Sequence, residues 1–174
     1  MKNGLVHIYT GEGKGKTTTA VGMAVRAKSR GLNTFFAQFF KEKNTGGEIL
    51  LLNNLDITTA IFDRIKSPYF HPKIDKTILG SEIKKALFCP ADIFKENKFD
   101  FMILDEFICL ISTGLLSEKD ALEFLESRPK KLEIVLTGRG ATPKLMKYAD
   151  YITYMQKIKH PKDKGITARK GIEI

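Results

Sequence analysis

The stretch TGEGKGKTTT, Thr10 to Thr19, follows directly on the apolar run GLVHIY, Gly4 to Tyr9. A strand, a glycine-rich turn and a lysine-threonine pair opening a helix make up a phosphate-binding loop. The usual loop has four residues between its first glycine and the Gly-Lys-Thr. Counted back from Gly15, that first position is Thr10, and the nearest glycine, Gly11, leaves only three. Gly11, Gly13 and Gly15 let the backbone turn its amides inward around an anion. A helix starting near Lys16 adds its positive dipole end. Lys16 then supplies a point charge for phosphate oxygens, and the Thr17 hydroxyl is a suitable ligand for Mg²⁺. A glycine-rich turn with an incidental lysine is the alternative, and it does not explain why strand, loop and helix fall in this order. Lys14 reads either as a phosphate contact or as a solvated loop lysine.

Beyond the loop, apolar runs alternate with helical patterns. Strands are expected at residues 5–9, 34–40 (TFFAQFF), 56–62 (DITTAIF), 99–106 (FDFMILDE), 132–138 (LEIVLTG) and 151–155 (YITYM). Helices are expected at 16–29 with Gly31 as stop, and at 45–52 behind a capping box at Thr45 to Glu48. Further helices are expected from Ile74 to Leu87, after Ser117, and after Thr142-Pro143. The closing segment KIKHPKDKGITARKGIEI has no period. Strands separated by helices predict an α/β fold with a mostly parallel sheet and helices on both faces. The expected architecture is three-layered and like that of the phosphate-loop NTPases (RecA-like, Rossmann-like), with residues 1–174 as a single domain. Ligands bind such sheets at the carboxyl ends of the strands, where both TGEGKGKTTT and LDE fall.

The 174 residues are 43% apolar and 28% charged, an ordinary globular composition. No apolar run approaches the roughly 20 residues of a membrane helix. With no signal-peptide pattern at the N-terminus, the expected compartment is the cytoplasm. Cys89 and Cys109 fit no metal spacing and read as reduced side chains in packed segments. The formal charge of +9 points to anionic partners, nucleic acid or a polyphosphate nucleotide. The lysines are scattered and form no basic stripe with interleaved aromatics, so nucleic acid is not assigned.

FMILDE ends in an acidic pair, as in the second nucleotide motif, where a carboxylate serves a metal directly or through water. If both Asp105 and Glu106 lie in the strand they point to opposite sides, so one faces the metal and the other holds the loop. In TGRG, Thr137 to Gly140, Arg139 between two glycines can approach an anion closely; a surface turn is the alternative. Gln38 is either a ligand contact or a buried, satisfied amide. His7 reads as a strand residue packed in the core, and His71 and His160 each precede a proline in a loop. Nothing supports a metal triad or a Ser-His-Asp relay.

Together these residues resemble the corrinoid adenosyltransferases that transfer adenosine from ATP to cobalamin precursors. TGEGKGKTT matches that family's own shortened phosphate loop. The likeness continues through QFFK (Gln38 to Lys41), GGE (Gly46 to Glu48), ILDE, Arg128-Pro129, TGRG, YADYIT around Asp150 and the closing segment. It covers essentially the whole chain in order.

The resemblance implies a reaction other than phosphoryl transfer. Cobalt reduced to Co(I) attacks the ribose 5′ carbon of ATP, and the whole triphosphate leaves. Stabilising charge on the leaving oxygen and positioning carbon against cobalt are the implied catalytic contributions. By match to the family's motifs, Gly11, Glu12, Gly13, Lys14, Gly15, Lys16, Thr17 and Thr18 bind triphosphate. Thr17 and Glu106 serve Mg²⁺, and Arg139 contacts nucleotide or holds the site together. The family places aromatic side chains beneath the corrin ring to displace its lower axial ligand, which eases reduction of the cobalt. This chain has no tryptophan there, and Tyr69 and Phe70 in SPYFHP are the nearest candidates. An electron-donating reductase such as a flavodoxin-like protein, and a homodimer, are implied as partners. Some relatives carry an N-terminal segment that folds over the site, and the present sequence begins only a few residues before its first strand. Two other readings remain: an ordinary phosphate-loop NTPase or kinase, and a non-catalytic nucleotide-dependent corrinoid binder.

Overall fold

The central strands carry apolar side chains at consecutive positions, so each needs a layer of helices on either side. The computed structural model describes residues 3–41, 47–68, 71, 73, 79–80, 82–83, 86–87, 92 and 94–173. It contains a six-stranded sheet of β1 (Val6–Thr10), β2 (Thr34–Phe39), β3 (Thr58–Phe62), β4 (Phe101–Asp105), β5 (Glu133–Thr137) and β6 (Tyr151–Tyr154). The spatial order is β3-β2-β4-β5-β1-β6 and every pairing is parallel. All carboxyl ends therefore share one edge of the sheet.

Side-chain alternation sorts the core into two layers. On one face, Phe36, Phe101, Ile103 and Val135 pack against Ala20, Ala24 and Ala27 of α1 (Lys16–Ser29) and Leu52 of α2 (Gly47–Asn54). The small alanines let α1 lie close to the sheet. On the other face, Phe35, Ala37, Phe39, Met102, Leu104, Ile134 and Leu136 meet α3 (Phe107–Ser112), α4 (Glu118–Glu126) and Leu145 of α5 (Pro143–Tyr148). The three-layer α/β architecture expected from the sequence is thus present.

Local signals hold where they rest on local chemistry. The Ser117 hydroxyl accepts from Asp120 N–H, and the Thr142 hydroxyl accepts from Leu145 N–H with Pro143 in the first turn. Gly31 N–H bonds back to Lys28 O at the end of α1. The strand expected from Asp56 begins at Thr58, because Asp56 turns the chain with φ 54°. Leu79, Gly80, Glu82, Ile83, Ala86 and Leu87 are helical, as their spacing predicts, with Leu79, Ile83 and Ala86 buried. Ile74, Ile78 and the capping-box Thr45 lie outside the described residues. Among the described residues, α3 and a 3-10 turn at Pro161–Lys164 have no counterpart in the sequence reading, nor have the helical residues 92 and 94–96. FICLIS is apolar at nearly every position and buried on most sides, so it carries no amphipathic period. His7 sits at a half-buried position, bonded to Glu133 Oε1 at 2.6 Å and stacked on Tyr151.

The Arg128-Pro129 pair has a structural role. Arg128 donates to Leu125 O at 3.2 Å and to the Tyr148 hydroxyl at 2.6 Å, and its guanidinium lies over the Tyr148 ring. It joins the end of α4 to α5. No helix among the described residues is long and apolar enough to cross a membrane.

Phe107, fully buried at the start of α3, packs against Phe39 and Phe124 directly beneath the strand ends. Phe107→Ala is expected to lower the unfolding free energy by about 3–5 kcal/mol in urea titrations. Phe107→Leu should cost clearly less, and equal losses would mean that the cavity is not the cause.

Candidate functional site

The loop between β1 and α1 is shaped by its neighbour on the sheet. The residue after β6, Met155, donates its N–H to Thr10 O and accepts the Gly13 N–H at 2.7 Å. A Cβ on Gly11 would lie 2.5 Å from Met155 O, and one on Gly13 would lie 2.7 Å from the same oxygen. Glycine is therefore demanded here by the backbone packed behind the loop as well as by any anion in front of it.

Lys16 is buried at the first turn of α1, and its ammonium donates to Gly11 O at 2.7 Å and Gly13 O at 2.8 Å. Burial lowers its pKa, Arg139 lowers it further, and the nearby carboxylates of Glu106 and Glu12 oppose the shift. Thr17, one residue on, points away from the loop to β4, where its hydroxyl donates to Asp105 Oδ1 at 3.0 Å.

Asp105 is the centre of the constellation. It is fully buried at the end of β4. Thr137 at the end of β5 donates to its Oδ1 at 2.6 Å, and Gln38 of β2 donates to its Oδ2 at 3.2 Å. Gln38 also donates to Glu48 Oε1 at 2.9 Å, which brings α2 to the site. Burial pushes the Asp105 carboxyl up to about 6, Glu106 adds to the rise, and the hydroxyls of Thr137 and Thr17 restrain it.

The parity argument for Asp105 and Glu106 does not apply as the sequence suggested. The strand ends at Asp105, and Glu106 takes up φ 63° as the residue capping α3. Its N–H bonds to Thr137 Oγ1 at 2.9 Å, and its carboxylate accepts from Cys109 Sγ at 2.8 Å. Cys109 in turn accepts from Arg139 N–H at 3.2 Å. Burial, and after it the charge of Glu106, push the Cys109 thiol up to about 12, so it stays a donor at neutral pH. The guanidinium of Arg139 pairs with Glu12 at 2.9 Å, both side chains being more than half exposed.

The structure thus brings together Gly11, Glu12, Gly13, Gly15, Lys16, Thr17, Glu106, Arg139 and, behind them, Gln38. Lys14 is at the outer side of the loop, paired with Glu173 at 2.9 Å. Thr18 is exposed in the first turn of α1. Tyr69, Phe70 and Cys89 lie outside the described residues. Sequence reasoning did not single out Asp105 as the residue bonded to Thr17, nor Glu48, Thr137, Cys109 and Glu173 as partners of the site. For Asp105 the signal was present, since an apolar run closes on it; Cys109 meets Glu106 only three residues away but on α3, which carries no period, and the others make contacts between separate elements.

A carboxyl whose folded pKa is raised binds protons more readily in the folded chain than in the unfolded one. Its contribution to stability is therefore greatest below its unfolded value of 3.8 and falls as pH rises to about 6. With a chelator present, the stability of the native chain relative to Asp105→Asn is expected to fall between pH 4 and pH 6, by an amount on the order of 3 kcal/mol. It should then level off. A difference that does not change with pH in paired denaturant titrations would refute the assignment.

Comparison with known proteins places the chain in a family. Residues 2–174 match the family model described as ATP:corrinoid adenosyltransferase BtuR/CobO/CobP. A corrinoid adenosyltransferase of a Sinorhizobium species is 29% identical over 174 residues, covering 99% of this chain and 81% of its own. Those of Pseudomonas aeruginosa and Salmonella typhimurium are each 27% identical over 173 residues, covering 99% of this chain and 85% and 86% of their own. The chain belongs to the ATP:corrinoid adenosyltransferase family.

Proposed function

We propose that this chain, as one domain over residues 1–174, transfers the 5′-deoxyadenosyl group of ATP to the Co(I) centre of a corrinoid and releases triphosphate. The observation that carries this reading is the shortened glycine loop at the carboxyl edge of the sheet, in a chain whose family match spans residues 2–174. Cobalt supplies the electron pair of the new Co–C bond, and the C5′–O bond breaks with its pair leaving on the triphosphate. The protein's task is to hold that leaving group and to offset its growing charge. Lys16 exchanges the carbonyls of Gly11 and Gly13 for phosphate oxygens, and Arg139 adds a second positive charge at the loop. The first turn of α1 contributes its free amides. No side-chain nucleophile or general base is required.

Mg²⁺ fits the residues present. Thr17, Asp105 and Glu106 offer hard oxygen donors, and among the described residues no group of three or more His, Cys, Asp or Glu side chains forms a metal cage. That is the pattern of a cation bound mainly through substrate phosphates and water. Thr17 and Glu106 would hold it, with Asp105 orienting the Thr17 hydroxyl. The ion would supply charge neutralisation of the phosphates. A reductase delivering an electron to the corrinoid, a homodimer and a cytoplasmic setting complete the proposal. Ordinary NTPase or kinase chemistry is not favoured, because the family match extends far beyond the loop.

Incubation with Mg-ATP and chemically reduced corrinoid is expected to give adenosylated corrinoid, seen in its spectrum, and intact triphosphate. ADP and phosphate as products would overturn the proposal in favour of an NTPase, and binding without product would favour a carrier. Lys16→Ala is expected to abolish transfer while leaving the unfolding midpoint nearly unchanged. Near-normal turnover in that variant would remove the loop from the mechanism.

A further inference from the structure

The segment after β6 leaves the phosphate loop and comes back to it. It departs at Met155, whose carbonyl takes the Gly13 amide, and returns at Glu173, whose Oε1 accepts from Lys14 Nζ at 2.9 Å. Arg169 holds the same carboxylate through three more donors. Nη2 reaches Oε1 at 2.9 Å, Nε reaches Oε2 at 3.1 Å, and the backbone N–H reaches Oε2 at 3.0 Å. A lysine, a guanidinium fork and a main-chain amide thus converge on two oxygens, which is the donor set that recognises a phosphate. Hydrogen bonds from Arg169, and then from Lys14, hold the Glu173 carboxyl well below the usual carboxylate range. Between Met155 and Glu173 the cations Lys157, Lys159, Lys162, Lys164, Arg169 and Lys170 face only two acids, Asp163 and Glu173. A strongly basic strap is therefore fastened to a loop that binds anions, and the clasp is itself an anion.

We infer that Lys14 and Arg169 form an anion subsite on the phosphate loop that takes a phosphate group of the triphosphate chain, and that Glu173 fills it when no nucleotide is bound. The inference rests on the reading of the loop as a triphosphate site and extends that site to the strap. Glu173 is a competing anion. Its release frees two cations together, and its return helps to displace the triphosphate after transfer. Arg169 serves the subsite better than a lysine would, because its fork spans two oxygens at once.

The test uses inorganic tripolyphosphate as probe, with equilibrium binding followed by calorimetry on the full chain. Glu173→Gln keeps the side-chain shape and removes the competing charge, so it is expected to bind the probe about threefold tighter. Arg169→Met and Lys14→Met are each expected to bind it about threefold more weakly. With both cations removed, adding Glu173→Gln should give no gain. In turnover, Glu173→Gln should lower the KM for ATP and make triphosphate a stronger product inhibitor. Unchanged or weaker probe binding by Glu173→Gln overturns the subsite and leaves Glu173 as a fastener of the strap. Failure of the native chain and every variant to bind the probe overturns instead the reading of the loop on which the subsite rests.

Discussion

The site is organised around one buried carboxylate. Asp105 has no access to solvent, and its ionised form is costly unless donors surround it. The donors come from three separate elements: Thr17 on α1, Gln38 on β2 and Thr137 on β5. Because β5 lies between β1 and β4, the loop-bearing strand and the acidic strand do not touch. Thr137 spans that gap, since it lies beside Tyr9 of β1 in the sheet register while its hydroxyl donates to Asp105 and accepts from the Glu106 amide. The register of β4 on β5 sets Leu104 beside Leu136, and the next residue on each strand makes this bond. Sheet register and site geometry are thus one constraint.

The turn at Glu106 follows from the same arrangement. Were the strand to continue, Glu106 would enter the apolar layer that Phe107 fills. A positive φ at Glu106 instead sends the chain into α3 and leaves its carboxylate beside Cys109, among the charges of the loop. Non-glycine residues in this conformation are uncommon and are kept where surroundings impose them. Here Phe107 is locked between Phe39 and Phe124, and the Glu106 amide is tied to Thr137. The Cys109 thiol stays protonated because it is half-buried beside that carboxylate, and it links Glu106 to the Arg139 backbone. The TGRG turn is thereby attached to the acidic strand end without any charged side chain between them.

Much of this was legible in the sequence, and what was legible was local. Strand, glycine loop and helix over Leu5 to Ser29 could be read because each element carries its own pattern. The caps at Ser117 and Thr142 could be read because a cap bonds within three residues. The roles of Asp105 and Glu106 could not be divided, because the argument from alternation needs a strand that continues past Asp105. The clasp at Glu173 was equally hidden: Lys14 is 159 positions away from it, and the intervening strap has no repeat to mark it. Glu48 was quoted only as part of a motif, and its bond to Gln38 shows what that part of the motif holds.

The shortened loop gains its meaning from what satisfies it at rest. The Gly13 amide is taken by Met155, the Gly11 and Gly13 carbonyls by Lys16, and the Lys14 ammonium by Glu173. Each positive group that would meet a phosphate already has an internal partner, while the main-chain bond to Met155 lies behind the loop and need not break. A phosphoryl-transfer enzyme keeps hold of its terminal phosphate until an acceptor takes it. In adenosyl transfer the entire triphosphate becomes the product, carrying more charge than it had as an ester. Tight binding alone would therefore trap the enzyme after one turnover. On the proposed reading, the carbonyls and the carboxylate that hold Lys16 and Lys14 at rest would reclaim them as the anion departs, so the features that close the loop at rest would also help it to release its product.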